Sequence, residues 1–300
     1  MRRKRVVLFA ALGLAMAAVL LCSEEAAQAA RQGLALCAQS VIPALFPFFV
    51  LSTLFTTLGY ASAVGRLLAR PAQWLFHAPG VGGAALFLGL LGGYPIGART
   101  VGQLYREGQC SRDEGERLLA FCNNCSPSFV LGIVGSAVFA SPRIGFLLYL
   151  IHALSAIITG IVLRPRAGVR RAMVPIRREA VPFSRALVGA IQSGANGMLA
   201  VCAAVVFFQV VLQLVVKFTG LSHGAFVGFW ELVNGVLRLG CGKRDFIWSA
   251  ALLGWGGLSV HAQTAAALCD TDLSLRYHLL GKLLQAGISF ALAFLVAMWL

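Results

Sequence analysis

Eight long stretches of this sequence contain no charged side chain: residues 6–23, 32–65, 71–98, 118–142, 144–163, 186–216, 246–269 and 283–300. A helix needs about 20 predominantly apolar residues to cross the hydrocarbon core of a membrane. Charged residues make up 12% of the sequence, which is about half the share found in soluble domains. The stretches predict an all-α polytopic membrane protein, and they lack the polar–apolar alternation of a membrane β-barrel.

The net charge of +14 is concentrated beside these stretches. Basic residues fill positions 2–5, and seven arginines lie in the segment 164–185, between two apolar stretches. Short basic loops beside membrane spans are typical of the cytoplasmic side. We therefore interpret the charge as a topological signal, with a lipid bilayer and no nucleic acid as the partner.

The first 30 residues have two interpretations. A basic start, an apolar run to Cys22 and the Ala-Gln-Ala sequence at 27–29 also fit a cleavable signal peptide. The apolar run is long for a signal peptide, and this favours an uncleaved signal-anchor span over residues 1–30. Both interpretations place residue 30 outside the cytoplasm.

Of the eight cysteines, Cys122 and Cys125 form a CxxC pair. One such pair supplies half of a zinc site, and the sequence shows no second pair and no histidine cluster nearby. The pair therefore predicts small residues packed between helices, with no metal and no cofactor.

The charge pattern also predicts a re-entrant hairpin. If 164–185 is cytoplasmic, then 105–117 and 60–79 lie on the same side, so 80–104 enters and leaves the membrane by one face. Glycine and proline break the helix in its middle. The residues predicted to shape this hairpin tip are Gly92, Gly93, Tyr94 and Pro95.

The two halves of the sequence have a similar plan. The predicted domains are a first repeat at 31–140, a linking span with the basic loop at 141–185, and a second repeat at 186–300. In this scheme 246–268, with Gly256 and Gly257, is the second hairpin and enters from the opposite side, as in inverted-repeat transporters. The alternative is a parallel repeat in which 224–240 crosses the membrane, because the inverted scheme puts Arg238, Lys243 and Arg244 outside, against the charge rule.

Three separated motifs carry a family resemblance: "LGGYPIGART" at 91–100, "RLLAFCNNCSPSFVLGIVG" at 117–135 and "GWGGLSVHAQ" at 254–263. Together they resemble the YlbJ-type sporulation integral membrane proteins of the nucleoside-recognition, or Gate-domain, group. The resemblance covers residues 34–300. It implies a fold related to concentrative nucleoside transporters, with a re-entrant hairpin and an interrupted span in each repeat. It also implies transport of dipicolinic acid across the outer forespore membrane. Cys125 departs from the commonest family pattern.

Polar groups at the predicted breaks suit an anionic ligand, since dipicolinate is a planar dianion and helix N-termini offer free N–H donors. Pro127 marks the point at which the interrupted span restarts. The same side chains also suit helix capping and helix–helix hydrogen bonding, and Arg99 also suits an interfacial anchor. The candidate substrate-binding residues are Asn123, Asn124, Ser126, Ser128, Arg99, Ser259, His261 and Gln263.

Glu231 and Asn234 lie one helical turn apart and are candidates for binding a coupling cation or a proton. An ion pair between Glu231 and Arg238 is an alternative. No P-loop, HExxH or GxSxG motif is present, so the sequence predicts no enzyme. A nucleoside transporter and a non-transporting structural membrane protein remain alternative functions, and the oligomeric state stays open.

Overall fold

The structure is a computed structural model that describes residues 2–165 and 181–300. Within these residues the chain forms α-helices and two π-helical segments, and no strand. The π-helical segments are π1 (Cys37–Val41) and π2 (Ser128–Val138). The α-helices are α1 (Arg2–Leu21), α2 (Ser23–Leu36), α3 (Ile42–Thr57), α4 (Tyr60–Leu67), α5 (Ala69–Phe76), α6 (Gly82–Gly92), α7 (Ile96–Arg106), α8 (Arg112–Cys122), α9 (Pro142–Val162), α10 (Phe183–Thr219), α11 (Gly224–Trp230), α12 (Leu232–Leu237), α13 (Lys243–Trp255), α14 (Gly257–Ala267) and α15 (Arg276–Ala297).

Three of the described helices are each long enough and apolar enough to cross a membrane without a break: α9, α10 and α15. A fourth candidate is the bent pair Phe9–Leu21 and Ser23–Val41, whose axes meet at 91°. The prediction of an all-α polytopic membrane protein is confirmed. The signal-anchor assignment for residues 1–30 stays a prediction, and most of the basic loop, residues 166–180, lies outside the described residues.

Helix α10 packs antiparallel to the α2–π1–α3 segment. Gly194 lies against Val50, Gly33 lies against Val206, and Lys217 forms an ion pair with Glu25. Small residues at these crossings let the two helices approach closely, as is usual between helices in lipid.

The first helix pair, α6 and α7, has both of its ends at the end of the bundle that carries loop 105–117. Gly82 at the start of α6 contacts Leu118, and α7 runs directly into the loop. The end of α9 lies there too, because Arg117 donates to the Leu163 carbonyl at 3.2 Å. These contacts put 105–117 beside the start of the basic loop, while the membrane side that they share stays a prediction.

The stretch 246–268 was predicted to be a hairpin, and this prediction is wrong. Helix α13 instead packs antiparallel to α15, and α14 continues onward from α13 without turning back. The contacts follow in order along α15: Trp248 with Phe290, Gly254 with Ala286, and His261 with His278. Positive φ angles at Gly256 and Gly257 interrupt the helix without reversing it.

The loop after α14 consequently lies beside 105–117 and not at the opposite end. Arg106 pairs with Asp270 at 2.8 Å, and Tyr105 donates to Asp272 at 2.7 Å. The hydrogen bond from Tyr105 lowers the pKa of the Asp272 carboxyl, because it stabilises the charged form.

A second antiparallel pair does exist, but it is formed by α11 and α12. A Cβ atom on Gly224 would lie 2.8 Å from the Gly235 carbonyl oxygen, and Gly228 contacts Gly235 directly. The chain reverses at Glu231, whose carboxylate caps α12. The segment 224–240 therefore folds back on itself, contrary to the alternative in which it crosses the membrane.

The described helices thus show one order of elements twice. A helix pair, a broken helix and a long helix appear as α6–α7, α8–π2 and α9, and again as α11–α12, α13–α14 and α15. An inverted repeat with two re-entrant hairpins stays a prediction, with 224–240 in place of 246–268 as the second hairpin.

Two exposed native cysteines offer a test of the topology. Cys241 lies between α12 and α13, and Cys269 lies after α14, at opposite ends of the bundle. With the other cysteines replaced by alanine, we expect a membrane-impermeant maleimide to label Cys241 in intact cells and Cys269 only after permeabilisation. Labelling of both residues in intact cells would rule out this topology.

Candidate functional site

The predicted break in the polar motif is present. Helix α8 ends at Cys122, helical structure resumes at Ser128, and Asn123 and Asn124 between them are fully buried. An amide buried in an apolar environment is costly unless it is hydrogen-bonded. The contacts of these two side chains therefore determine what the break does.

The Asn123 side chain connects two other elements. Its Oδ1 accepts from the Ala98 N–H in the first turn of α7 at 3.3 Å, and its Nδ2 donates to Thr264 Oγ1 on α14 at 2.8 Å. Asn123 thus ties the break in α8–π2 to both the first helix pair and the second broken helix.

Asn124 and the two serines satisfy nearby groups. Asn124 donates to the Phe121 carbonyl at 2.7 Å and accepts from Gln285 at 3.1 Å. Ser126 shares a hydrogen bond with Ser128 at 3.0 Å and accepts from the Phe129 N–H, as a helix cap does. Contact between these residues and a solute stays a prediction.

A cavity of about 390 Å³ lies between α3, α7, α10 and α14, within the size range of small-molecule sites. Two of the predicted substrate residues, Arg99 and Gln263, line it, together with Pro95 from the first tip. Its other polar lining residues are Ser52, Thr53, Thr56, Thr100, Gln103, Arg106, Ser193, Asn196, Cys269 and Asp270.

Arg99 is held from one side by α10. Its Nη2 donates to Ser193 Oγ at 2.7 Å, and its Nη1 donates to the Ser193 carbonyl at 3.4 Å. A guanidinium has five N–H donors, so these two contacts leave donors over. No carboxylate forms an ion pair with Arg99 among the described residues.

A smaller cavity of about 70 Å³ lies deeper in the bundle. Tyr94, Ser126, Glu231 and Gln263 line it, so it joins the tips of both helix pairs to the break in α8–π2. Gln263 lines both cavities. It therefore lies between the larger cavity and the level of the two tips.

Glu231 and Asn234 interact as their spacing predicts. The Glu231 carboxylate accepts from the Asn234 N–H at 2.7 Å and from Asn234 Nδ2 at 2.8 Å. It forms no ion pair with Arg238 in the part of the chain that the structure describes. The carboxylate is thus held at the tip of α11–α12 by neutral donors.

The remaining residues of the third motif face other partners. Ser259 is buried and faces the Glu231 carboxylate. His261 lies against the Trp255 ring, with 4.3 Å between ring centroids, and its Nδ1 is 3.0 Å from His278 Nε2. Neither residue lines the two cavities.

The glycines predicted to shape the breaks occupy tight positions. Gly93 has φ +80 and lies against Ser126, and Gly257 has φ +82 and lies against the Leu232 N–H. Side chains other than glycine are strained at these φ angles. Gly92 contacts Ile96, and Pro127 precedes the first residue of π2.

The last helix carries a group of buried polar residues that was not predicted from the sequence. His278, Lys282, Gln285 and Ser289 are all fully buried. Their spacing of four, three and four residues puts them on one face of a helix. This spacing is visible in the sequence and could have identified the face. In the sequence, however, Lys282 only marks the boundary of the uncharged stretch 283–300.

The CxxC pair is enclosed by helices. Cys122 and Cys125 are buried, and the Cys125 N–H donates to His152 Nε2 at 3.0 Å. That bond uses the backbone and not the thiol. We expect a Cys122→Ala/Cys125→Ala variant to keep its transport activity and its metal content. Loss of bound zinc together with activity would show that the thiols bind metal.

Comparison with known proteins gives two matches. The family model described as Gate, nucleoside recognition, matches residues 38–221, which is more than half of the chain. The sporulation integral membrane protein YlbJ of Bacillus subtilis (strain 168) is 29% identical over 316 residues, covering 91% of this chain and 77% of that protein. No solved structure matches.

Proposed function

Because the chain belongs to the Gate family of nucleoside-recognition proteins, we propose that it is a membrane transporter and that its cargo is dipicolinic acid. The similarity to a sporulation integral membrane protein supports a role in spore formation. We propose the outer forespore membrane as its location and no enzymatic activity.

One observation supports an anionic cargo above the others: Arg99 in the larger cavity has spare N–H donors and no paired carboxylate. A planar guanidinium binds a carboxylate through two parallel hydrogen bonds. Arg106 at the same cavity is already paired with Asp270, and both side chains are about half exposed. Water screens an exposed arginine and weakens its pairing with any carboxylate. Arg99, which is less exposed and has no carboxylate partner among the described residues, is therefore the stronger candidate for binding the carboxylate of a cargo.

The two cavities suggest a route for the cargo. The larger cavity opens beside loop 105–117, and the smaller one lies beyond Gln263, at the tips of α6–α7 and α11–α12. Transporters with inverted repeats bind substrate between paired broken helices near the midplane. We propose that dipicolinate first meets Arg99 and then passes Gln263 to the level of the tips, between the repeats 31–140 and 186–300.

Substrate contacts at the breaks belong to the same proposal. Ser126 and Gln263 reach the smaller cavity directly. Asn123, Asn124, Ser128, Ser259 and His261 would support the site from behind it. Glu231 and Asn234 are proposed to bind a coupling cation or a proton, because the carboxylate lines the cavity and its contacts are neutral donors.

A nucleoside is the second candidate cargo, and the description of the matching family model favours it. Nucleosides are neutral, so they would gain less than a dianion from Arg99. A purely structural sporulation protein is a third candidate, and that role would leave the two cavities without a use.

The experiment is uptake of labelled dipicolinate into proteoliposomes that contain the purified protein, with unlabelled uridine and succinate as competitors. We expect protein-dependent uptake that excess dipicolinate inhibits more strongly than either competitor. Inhibition by uridine alone would assign the site to nucleosides. Absence of uptake and exchange for all three solutes would favour a structural role.

A further inference from the structure

Lys282 is an amine enclosed in the middle of the helix bundle. Its side chain is fully buried on α15, between the first tip, the break in α8–π2 and α9. Ionisable side chains inside membrane spans are costly and are usually functional. Lys282 is not among the residues assigned above to cargo binding or to coupling.

The contacts of Lys282 are all neutral. Its Nζ donates to Tyr94 Oη at 3.1 Å and to Gln285 Oε1 at 2.8 Å, and it lies 5.0 Å from the centre of the Tyr94 ring. No carboxylate forms an ion pair with it in residues 2–165 and 181–300. A permanent charge here would therefore lack the partner that usually offsets its burial.

These two hydrogen bonds suit both protonation states of the amine. An ammonium has three N–H donors, so two are used and one remains. A neutral amine has two N–H donors and one lone pair, so both donors are used and the lone pair remains. The states therefore differ by one proton at one free position of Nζ, and the surrounding hydrogen bonds need not change.

The titratable groups that interact with Lys282 come from every element around it: Tyr94, Cys122, Cys125, His152, His261 and His278. His152 Nε2 accepts the Cys125 N–H, so that nitrogen carries no proton and the His152 ring is neutral. Only one proton fits between His261 Nδ1 and His278 Nε2, so the two rings are not both charged. Among the groups here that can take up a proton in their neutral form, the Lys282 amine and the histidine rings, the amine is the strongest base.

Lys282 is also one residue layer away from the smaller cavity. Tyr94 and Cys125 form part of the wall of that cavity, and the Tyr94 hydroxyl accepts a hydrogen bond from Lys282 Nζ. A proton from water in the cavity can reach the Nζ lone pair past Tyr94 and can return to water the same way. No other bond forms or breaks in this step.

We propose that Lys282 is the group that binds and releases a proton during the transport cycle, connected through Tyr94 to the smaller cavity. This inference rests on the proposed transport function, and it assigns the coupled proton to a lysine on α15 in preference to Glu231, which was proposed above to bind either a cation or a proton. Protonation at Lys282 would offset part of the charge of an anion that passes the tips.

The test separates exchange from gradient-driven uptake. In proteoliposomes with the membrane potential clamped, we expect a gradient of one pH unit to change the accumulation of labelled dipicolinate by about tenfold, the equivalent of one coupled proton. Lys282→Met should still exchange labelled for unlabelled dipicolinate without a gradient, and it should lose the gradient response. Lys217→Met, which removes a lysine at the exposed end of α10, is the matched control and should behave like wild type.

A second variant distinguishes a proton carrier from a structural cation. Lys282→Arg keeps the charge and the donors, but arginine does not release its proton. Recovery of the gradient response in Lys282→Arg would overturn the inference, as would loss of the response in Glu231→Gln but not in Lys282→Met. If wild type exchanges uridine and not dipicolinate, the proposed cargo fails, and the same gradient experiment is then made with uridine. No change in wild-type accumulation across the gradient overturns the inference with either cargo.

Discussion

Replacing Arg99 by glutamine is expected to reduce dipicolinate uptake by about ten- to a hundredfold at normal protein levels. The larger cavity offers this guanidinium without a paired carboxylate, held by Ser193. A hydrogen bond to a charged group contributes about 1.5–3 kcal/mol, which corresponds to that range of affinities. Initial uptake rates over a range of concentrations measure the effect.

Two further measurements show whether the effect is electrostatic. Arg99→Lys keeps the positive charge but loses the planar donor geometry, so we expect an intermediate loss. Any uridine transport should change little in Arg99→Gln, because uridine carries no carboxylate. An equal loss for a dianion and for a neutral solute would mean that Arg99 acts through the packing of α7 against α10.

The class of the protein and one of its breaks could be predicted from sequence. Uncharged stretches and basic loops indicate membrane helices, and residues 123–128 at the interruption include the types that a break needs: two amides, two capping serines and a proline. These signals are local, because the cost of burying an unbonded amide or an unsatisfied helix end depends on the residue itself.

The second helix pair could not be located in this way. The turn between α11 and α12 is made by Trp230, Glu231 and Leu232 and contains no glycine or proline. Glu231 provides the cap with its own carboxylate, and an isolated glutamate in an apolar stretch has many other interpretations. The paired glycines at 256–257 were the stronger turn signal, but there they only interrupt a helix that continues in the same direction.

Lys282 was missed for a related reason. A charged residue in the sequence normally marks the end of an apolar stretch. Whether such a residue lies inside a span or at its edge depends on which helices pack around it, and the sequence does not give that packing. The four-residue spacing from His278 to Lys282 was visible in the sequence. The partners of this helix face, however, come from elements more than 150 positions away: Tyr94 contacts Lys282, and Asn124 contacts Gln285.

The second large effect concerns the contact that fixes the first tip against the break. The carbonyl oxygen of Cys122, the last residue of α8, lies between Gly89 on α6 and Gly97 on α7, so a Cβ atom on either glycine would collide with it. Close approach through glycine is a common way to pack helices in membranes. Because backbone atoms surround the site on both sides, no flexible side chain can move to make room.

We therefore expect Gly89→Ala and Gly97→Ala each to destabilise the protein by about 3 kcal/mol or more, at or above the usual range for overpacking. The measurements are the yield of monodisperse protein in detergent and its melting temperature.

Gly189→Ala on α10 and Gly287→Ala on α15 are matched controls, because a Cβ at either position would meet no atom within 4 Å. Replacing glycine by alanine inside an open helix stabilises it by about 0.5–1 kcal/mol, so the controls should keep or raise the melting temperature. Wild-type stability in Gly89→Ala or Gly97→Ala would show that the break in α8–π2 does not pack on the first helix pair, and the link from Tyr94 to Lys282 would lose its structural basis.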